Sequence, residues 1–347
     1  MRLGVIDIGS NSIKLLVAET GSTMAIHYET TWETRLGTTL GTSDLPILTR
    51  SAIQKACEAV QSLIAEAAGY NVEEFFVAAT SAVRDAVNRE EFIDEIHQAT
   101  GHRLKVLSGD EEAAYIAWGI TTDPVLTQYQ EFCLADLGGG SLELIHVRNR
   151  EIVAKVSLPL GAIRLSQQLL ADKGEPMKSV EMRRIVRRVR NTIDESGFVF
   201  PRETNILAGT GGALTVSRAV RAAWLGQTQS EAGNSLSLAY LRFLYVELAA
   251  MNLEERSKIP ALPSERADIM PVGLLILLTV AEMAGANSYI YSSHNLRYGI
   301  AAKYFSGDSG DSPIAIKAAL PGQTSTDKSA LAAMAKSAVD QGHEKKM

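Results

Sequence analysis

Two ten-residue segments, DIGSNSIKLL (Asp7–Leu16) and DLGGGSLELI (Asp136–Ile145), share one pattern. Asp7 pairs with Asp136, Gly9 with Gly138, Ser12 with Ser141 and Leu15 with Leu144, with apolar-for-apolar exchanges around them. In each, an apolar run ends at the Asp, a glycine-containing turn follows, and a second apolar run begins. That is strand, tight turn, strand, read twice. A chain built twice on one plan folds as two related halves. A cleft between them would bring the two turns face to face. One position breaks the symmetry: Lys14 in the first copy stands where Glu143 stands in the second.

The turns have a chemistry of their own. Glycine allows positive φ and close approach of a ligand to the backbone. Successive N–H groups in such a turn form a concave nest suited to phosphate oxygens, and Ser12 and Ser141 add hydroxyl donors. An Asp beside phosphate is repulsive unless a cation lies between them. Mg²⁺, which takes one or two carboxylates with phosphate oxygens and water, resolves this. The alternative is a structural glycine hairpin with solvent-facing acids. Two matched turns with an Asp at the same offset weigh against it. No Gly-Lys-Ser/Thr follows, so this is no Walker A loop, and a strand rather than a helix follows, so it is no dinucleotide-binding turn.

The 347 residues are enough for two domains. Strand and helix signals alternate throughout, as in layered α/β proteins. Apolar residues recur on one face of a helix over TRSAIQKACEAVQSLIAEAAGY, with Gly69 as its stop. NREEFIDEIHQATG reads as a helix capped by Asn88 and Glu91 and closed by Gly101. The apolar stretch IMPVGLLILLTVAEMAGA contains Pro271 and Gly273 and meets Glu282, which marks a buried helix rather than a membrane span. From Ser306 onward the composition shifts to Gly, Ser, Asp, Ala and Lys, which reads as a flexible tail over 306–347, with KSALAAMAKSAV as a loose helix at most. The net charge of −6 argues against nucleic acid as the main partner. Cys57 and Cys133 read as core residues, and with no disulfide framework and no leader-like start a cytoplasmic setting is expected.

Other motifs carry competing readings. SGDEEAAYIAWG places Asp110, Glu111 and Glu112 at a helix start. Acids are favoured there by the helix dipole alone, and that is the better reading of these residues by themselves. A general base activating water is the functional alternative. In ATSAVRDA, a cap at Thr80 or Ser81 would put Arg84 near a helix N-terminus, where a cation is disfavoured unless it clamps an anion. A salt bridge to Asp85 or Glu91 is the plainer use. The turn AGTGGAL (Gly209, Gly211, Gly212) either faces a ligand or packs a strand against a helix. RRIVRRVR sets Arg183, Arg184, Arg187 and Arg188 along one helical side. Such runs are usually solvated faces, and a minority guide anions. No histidine metal-ligand spacing and no nucleophile–His arrangement is legible.

Taken in order, VIDIGSNSIKLLV, TRLGTTL, ATSAVRDAVNREEF, SGDEEAAYIAWG, DLGGGSLEL, SLPLGAIRL, AGTGGAL, ERADIMPVG and LRYG resemble the exopolyphosphatase / guanosine pentaphosphate phosphatase family, of the actin-like sugar kinase–Hsp70 fold. The resemblance covers residues 1 to about 305, as a short form without the family's C-terminal helical extension, which favours shorter substrates. It implies duplicated ribonuclease H-like α/β domains around a cleft: domain I over 1–120, completed by a helix at 295–305, and domain II over 121–294. It implies Mg²⁺-dependent release of terminal phosphate from polyphosphate or pppGpp, with no nucleic acid or membrane partner, and a homodimer is expected of two-domain proteins of this type. Glu112 maps to the acid that orients or activates water, which reverses the reading from the residues alone. Asp136 and Glu143 map to metal or catalytic carboxylates, with Asp7 as a further metal ligand. Ser10, Asn11 and Ser12 map to the first phosphate loop. Gly138, Gly139, Gly140 and Ser141, with Gly211 and Gly212, map to the other phosphate-binding turns, and Arg84 to a phosphate-contacting arginine. The chain departs from the family pattern at Leu142 and Ala213, where Thr is common, and at Asn295, where Gly is common. These departures keep a binding-only sensor of guanosine polyphosphate or polyphosphate open beside the hydrolase. An ATP-using kinase of the same fold finds no support in the sequence.

Overall fold

A computed structural model describes residues 1–307 apart from 22, 41–45 and 202–205. The remainder of the tail and its KSALAAMAKSAV stretch lie outside the described residues. Two mixed sheets organise the chain. In the first, β1 (Arg2–Ile8), β2 (Ser12–Glu19) and β3 (Ala25–Glu33) form an antiparallel meander, and β4 (Glu74–Ala79) and β5 (Leu104–Val106) continue in parallel from the other edge of β1. The order is 3-2-1-4-5. In the second, β6 (Glu131–Leu137), β7 (Leu142–Arg148) and β8 (Glu151–Leu158) repeat the meander, and β9 (Leu207–Gly211) and β11 (Ser288–Tyr291) repeat the parallel extension. The short strand β10 (Ser235–Ser237) adds an antiparallel edge. The duplication read from two turns is therefore a duplication of whole sheets, each with the ribonuclease H-like strand order.

The sequence explains which strands are central. β1 and β2 are buried almost throughout, as near-continuous apolar strands covered on both faces must be. β3, AIHYETTWE, is largely exposed at the sheet edge, and its polar composition hides it from a reading that looks for apolar runs. One face of the first sheet packs on helices Arg50–Ala68 and Arg89–Thr100 through Ile53, Val60, Phe92 and Ile96. One face of the second packs on helices Ser179–Glu195 and Met270–Ala284. The latter is buried continuously from Met270 to Ala281, as expected of the long apolar stretch. No helix among the described residues is long and apolar enough to cross a membrane.

A third core lies between the sheets. Val5 and Leu16 of one and Leu134 and Ile145 of the other enclose Ile116, Ile120 and Ile300 from helices Gly109–Thr121 and Leu296–Ser306. The latter helix packs on β1 and β2 although it comes last in the described chain. On that ground we propose the domain division expected from the sequence: 1–120 with 295–305, and 121–294. The two sandwiched helices cross at glycines. A Cβ on Gly299 would lie 1.6 Å from the Tyr115 carbonyl oxygen, and one on Gly119 would lie 2.2 Å from that of Asn295. Both obstacles are backbone and cannot swing away. Gly299→Val is expected to destabilise the protein by at least the 1–3 kcal/mol typical of overpacking. Equilibrium denaturation checks this, and an unchanged midpoint would mean that the crossing is loose.

Gly69 ends its helix as expected, in a right-handed conformation, φ −65°, and a positive φ falls on Asn71. One local expectation is corrected. Asn88 stands at the N-cap of its helix, but its side chain makes no cap bond. Its side chain is held by both backbone groups of Leu48, which anchors the segment entering the previous helix. Gly101 closes that helix in the left-handed region, φ 73°, as expected. Cys57 and Cys133 are buried and free.

Candidate active site

The two turns meet. A Cβ on Gly139 would lie 3.1 Å from Ser10 Cβ and 3.4 Å from Asn11 N, and one on Gly140 would collide with the hydroxyls of Ser81 and Ser10. Those two hydroxyls are themselves 3.0 Å apart and buried. Only glycine permits this approach. Around the meeting point lies a cleft lined by Asp7, Ser10, Asn11, Ser12, Lys14, Glu112, Asp136, Gly138, Gly139, Gly140, Ser141, Glu143, Gly211 and Gly212. Of the residues expected at the site, Arg84 alone does not line it.

Strand register places the acids. Asp7 is the cross-strand partner of Lys14, and Asp136 that of Glu143, at equivalent places in the two sheets. Directly opposed residues share a face, so each hairpin points two polar side chains into the cleft. Asp7 Oδ1 and Asn11 Oδ1 are buried and find no hydrogen-bond partner among the described residues. Glu143 is 1% exposed and accepts a hydrogen bond from Ser157 Oγ at 2.7 Å. Burial, reinforced by Glu112 and Asp136, raises its pKa well above the usual carboxylate range. Burial pushes Asp136 up to about 6 against the pull of Lys14, and it raises Asp7 as well. The ammonium of Lys14 is lowered, chiefly by burial, although Asp7 and Asp136 oppose this.

Glu112 reaches the cleft from a helix fixed by its own sequence. Ser108 caps Gly109–Thr121: its hydroxyl accepts from Glu111 N, and the Glu111 carboxylate accepts from Ser108 N at 2.9 Å. Successive helical residues point about 100° apart, so the three acids separate. Asp110 pairs with Lys155 and Glu111 with Lys105. Glu112, 7% exposed, turns into the cleft. Its carboxylate takes a 2.8 Å charge-assisted hydrogen bond from Arg84 Nη1. Burial nevertheless pushes its pKa up to about 7, with Asp7 and Asp136 adding to the rise and Arg84 opposing it.

Arg84 differs from expectation. Its helix, Ser81–Asp85, is only five residues long, so Arg84 sits in the last turn, where the dipole favours a cation. Its Nη1 donates to the Leu107 carbonyl and to Glu112. Asp85 is held mainly by Arg164, and Glu91 by Arg50 at 3.5 Å. The third glycine turn serves both of its expected uses. Gly209 packs against Leu214 and Tyr289, while Gly211, φ 97°, lies against the end of β6 and opens helix Gly212–Trp224 at the cleft. Leu142 is fully buried in the second sheet's core.

The sequence reading missed Arg266 as a site residue. It lines the cleft, and its guanidinium donates to Glu33 Oε1 at 2.6 Å, while the other Glu33 oxygen accepts from Asn11 Nδ2. Arg35 makes a two-pronged pair with Asp268 at 2.6 and 3.0 Å. The end of β3 is thus tied to the segment before helix Met270–Ala284. TRLGTTL and ERADIMPVG already carried the family resemblance, and a search for opposite charges between them was the available signal.

The donor set fits a hard divalent cation. Three acids, one of them with an orphaned buried oxygen, face turns rich in N–H donors. Among the described residues no three carboxylate, His or Cys side chains close into a prebuilt cage. Mg²⁺ needs no such cage, since it takes one or two carboxylates and completes its shell with phosphate oxygens and water.

Two halves of one strand order, with their turns opposed across an acid-lined cleft, define the duplicated ribonuclease H-like class to which actin-like proteins belong. Residues 15–305 match the Ppx/GppA phosphatase family, and the chain belongs to that family. Exopolyphosphatase 1 of Mycobacterium leprae is 31% identical over 296 residues, covering 80% of this chain and 81% of that protein. Exopolyphosphatase 2 of Mycobacterium tuberculosis is 27% identical over 317 residues, covering 86% and 97%. The crystal structure of an exopolyphosphatase from Cytophaga hutchinsonii superposes with a TM-score of 0.79 at 23% identity, covering 88% of this chain and 98% of that one, which establishes the shared fold.

Proposed function

We propose that the protein releases terminal phosphate from inorganic polyphosphate, with pppGpp as a second candidate substrate, by attack of water on the phosphoanhydride. The observation that carries this reading is Glu112: a buried carboxylate with pKa near 7, oriented by Arg84, facing two opposed phosphate-type turns. The N–H groups and hydroxyls of Ser10, Asn11, Ser12 and Gly138 to Ser141, with Gly211 and Gly212, hold the terminal phosphate. Glu112 aligns a water and accepts its proton as the new P–O bond forms, and the bridging P–O bond breaks with its electrons leaving on the departing chain. Arg84 acts through Glu112, as a positioning residue. Asp7, Asp136 and Glu143 would hold a divalent cation such as Mg²⁺, which supplies charge neutralisation at the phosphate oxygens.

Phosphate release from polyphosphate and pppGpp, with and without Mg²⁺, tests the reading. Binding of either compound without turnover would replace the hydrolase by a sensor. The pH profile is a second check. A base works only when deprotonated, so kcat/KM should rise through about pH 7 to a plateau as Glu112 ionises. Arg84→Gln removes the group that favours the charged form, so it should shift this limb to higher pH and lower the rate. Stability runs the other way. An acid whose pKa is raised on folding from 4.5 to about 7 contributes stability that is complete below pH 4.5 and lost as the pH rises through about 7. Thermal denaturation of the cation-free protein should show that decline, and a pH-independent midpoint would contradict the burial of these acids.

A further inference from the structure

We propose that Arg164 is a positioning residue of the hydrolytic site: it fixes the Gly138–Ser141 turn with its N–H groups toward the substrate, and through Asp85 it joins that turn to the helix that aims Glu112. The inference rests on the hydrolase reading and deepens it, because it says what orients the phosphate donors.

The carbonyls of the turn carry the argument. In a trans peptide the C=O of one residue and the N–H of the next point in opposite directions. Ala162 N donates to the Gly138 carbonyl at 3.1 Å, and Ile163 N and Arg164 N donate to that of Gly139 at 2.8 and 3.1 Å. The Gly140 carbonyl accepts from Arg164 Nε at 2.7 Å. Three successive carbonyls are thus held by the start of helix Ala162–Leu169. The N–H groups on the opposite side of those peptides belong to Gly139, Gly140 and Ser141. No hydrogen bond engages any of the three among the described residues, and all three residues line the cleft. In the first turn Asn11 stands where Gly140 stands in the second. Its carbonyl accepts from two backbone groups, Thr34 N and Arg35 N, at 3.1 and 2.8 Å. The second turn depends on a side chain at the same place.

That side chain has a second partner. Arg164 Nη2 pairs with Asp85 at the end of helix Ser81–Asp85. The preceding residue, Arg84, donates to Glu112 at 2.8 Å. One guanidinium therefore links the phosphate turn of the second sheet to the element beside the first sheet that orients the base. Gln167 Nε2, also on the Arg164 helix, donates to the Thr38 carbonyl at 2.9 Å and adds another tie to the first half of the chain. Arg164 does not line the cleft. It borders a separate hollow that shares Ser10, Ser81, Gly139 and Gly140 with the cleft. It therefore acts through the turn, without touching the substrate.

Phosphate release by Arg164→Ala, Arg164→Lys and Asp85→Asn protein is the test. Arg164→Ala is expected to lower kcat about 10- to 100-fold, the scale of a misplaced group, with a smaller change in KM. Arg164→Lys keeps a cation for Asp85 but loses the planar fork that serves two acceptors at once, so it should recover little of the rate. Asp85→Asn should cost less. Arg164→Ala/Asp85→Asn should be no slower than Arg164→Ala alone, because both changes act along one path. The ion pair is only partly buried, so melting temperatures should stay close to that of the wild type. Wild-type kcat in folded Arg164→Ala or Arg164→Lys protein, or additive losses in the double variant, overturns the proposal. Arg164→Lys carries the test if Arg164→Ala does not fold. A wild type that releases no phosphate overturns the hydrolase reading instead. The turn is then judged by amide NMR with inorganic phosphate as the probe. Phosphate should shift the resonances of Gly139, Gly140 and Ser141 in the wild type and not in Arg164→Ala or Arg164→Lys. An equal response in wild type and variant, or none in the wild type, overturns the positioning role.

Discussion

Glu112→Gln is expected to abolish nearly all turnover, lowering kcat by about 10²–10⁴-fold, the range a positioned proton acceptor contributes. The fold should persist. Gln matches Glu in shape and still accepts a hydrogen bond from Arg84 Nη1, now 2.8 Å from Oε2. The buried carboxylate is itself unfavourable near neutral pH, since burial dominates its pKa of about 7. Removing its charge should therefore leave the melting temperature near neutral pH unchanged or higher. KM for polyphosphate should change little, because the substrate is held by the turns. Steady-state kinetics beside thermal denaturation separates the cases. A folded variant with wild-type kcat would remove Glu112 from the reaction, and the neighbouring Asp110 and Glu111 cannot replace it, because Lys155 and Lys105 hold them on other faces of the helix.

Glu143→Gln should have the next largest effect. Glu143 is the cross-strand partner of Asp136, it is 1% exposed, and its pKa is raised well above the usual range. In the cation-free protein burial therefore favours its neutral form. Gln imitates that neutral form and leaves an acceptor for Ser157 Oγ, so stability without cation should be unchanged. The carboxylate becomes useful only when a cation displaces its proton. Gln cannot follow, so the variant should bind Mg²⁺ more weakly and lose about 10²–10³-fold in kcat, the scale of one lost electrostatic contact to a transition state. Calorimetric Mg²⁺ titration and the Mg²⁺ dependence of phosphate release report the two losses separately. Unaltered Mg²⁺ affinity would confine Glu143 to a structural hydrogen bond. Lys14→Glu, at the symmetry-related position, is the informative contrast: it removes the ammonium that opposes the raised pKa values of Asp7 and Asp136.

Much of the architecture is legible in the sequence because it is local. A strand of alternating or continuous apolar residues, a glycine turn and a capped helix each depend on residues within a few positions. The elements the reading lost were those whose local pattern was weak. β3 is polar because it is an edge strand, and β10 is only three residues long. Asn88 has cap chemistry, but Leu48, forty positions earlier, competes for its side chain and wins.

The sequence by itself determined the duplication, the two opposed turns and the identity of the acids, since a repeated Asp-turn-Ser hairpin recurs only where the same backbone conformation is needed twice. It also set Glu143 against Lys14, because strand register follows the hairpin. The family resemblance singled out Glu112 among the three consecutive acids at 110–112, and the tertiary structure decided that it faces the cleft. Helix phase is fixed by the core between the sheets, through Ile116 and Ile120 one and two turns beyond Glu112 on the same side of the helix, and not by the acids themselves. It also decided that Arg84 engages Glu112, and that Glu33 and Arg35 pair with Arg266 and Asp268 across a separation of 233 residues. Pairings at that distance depend on how two independently formed sheets pack, and no local propensity records them.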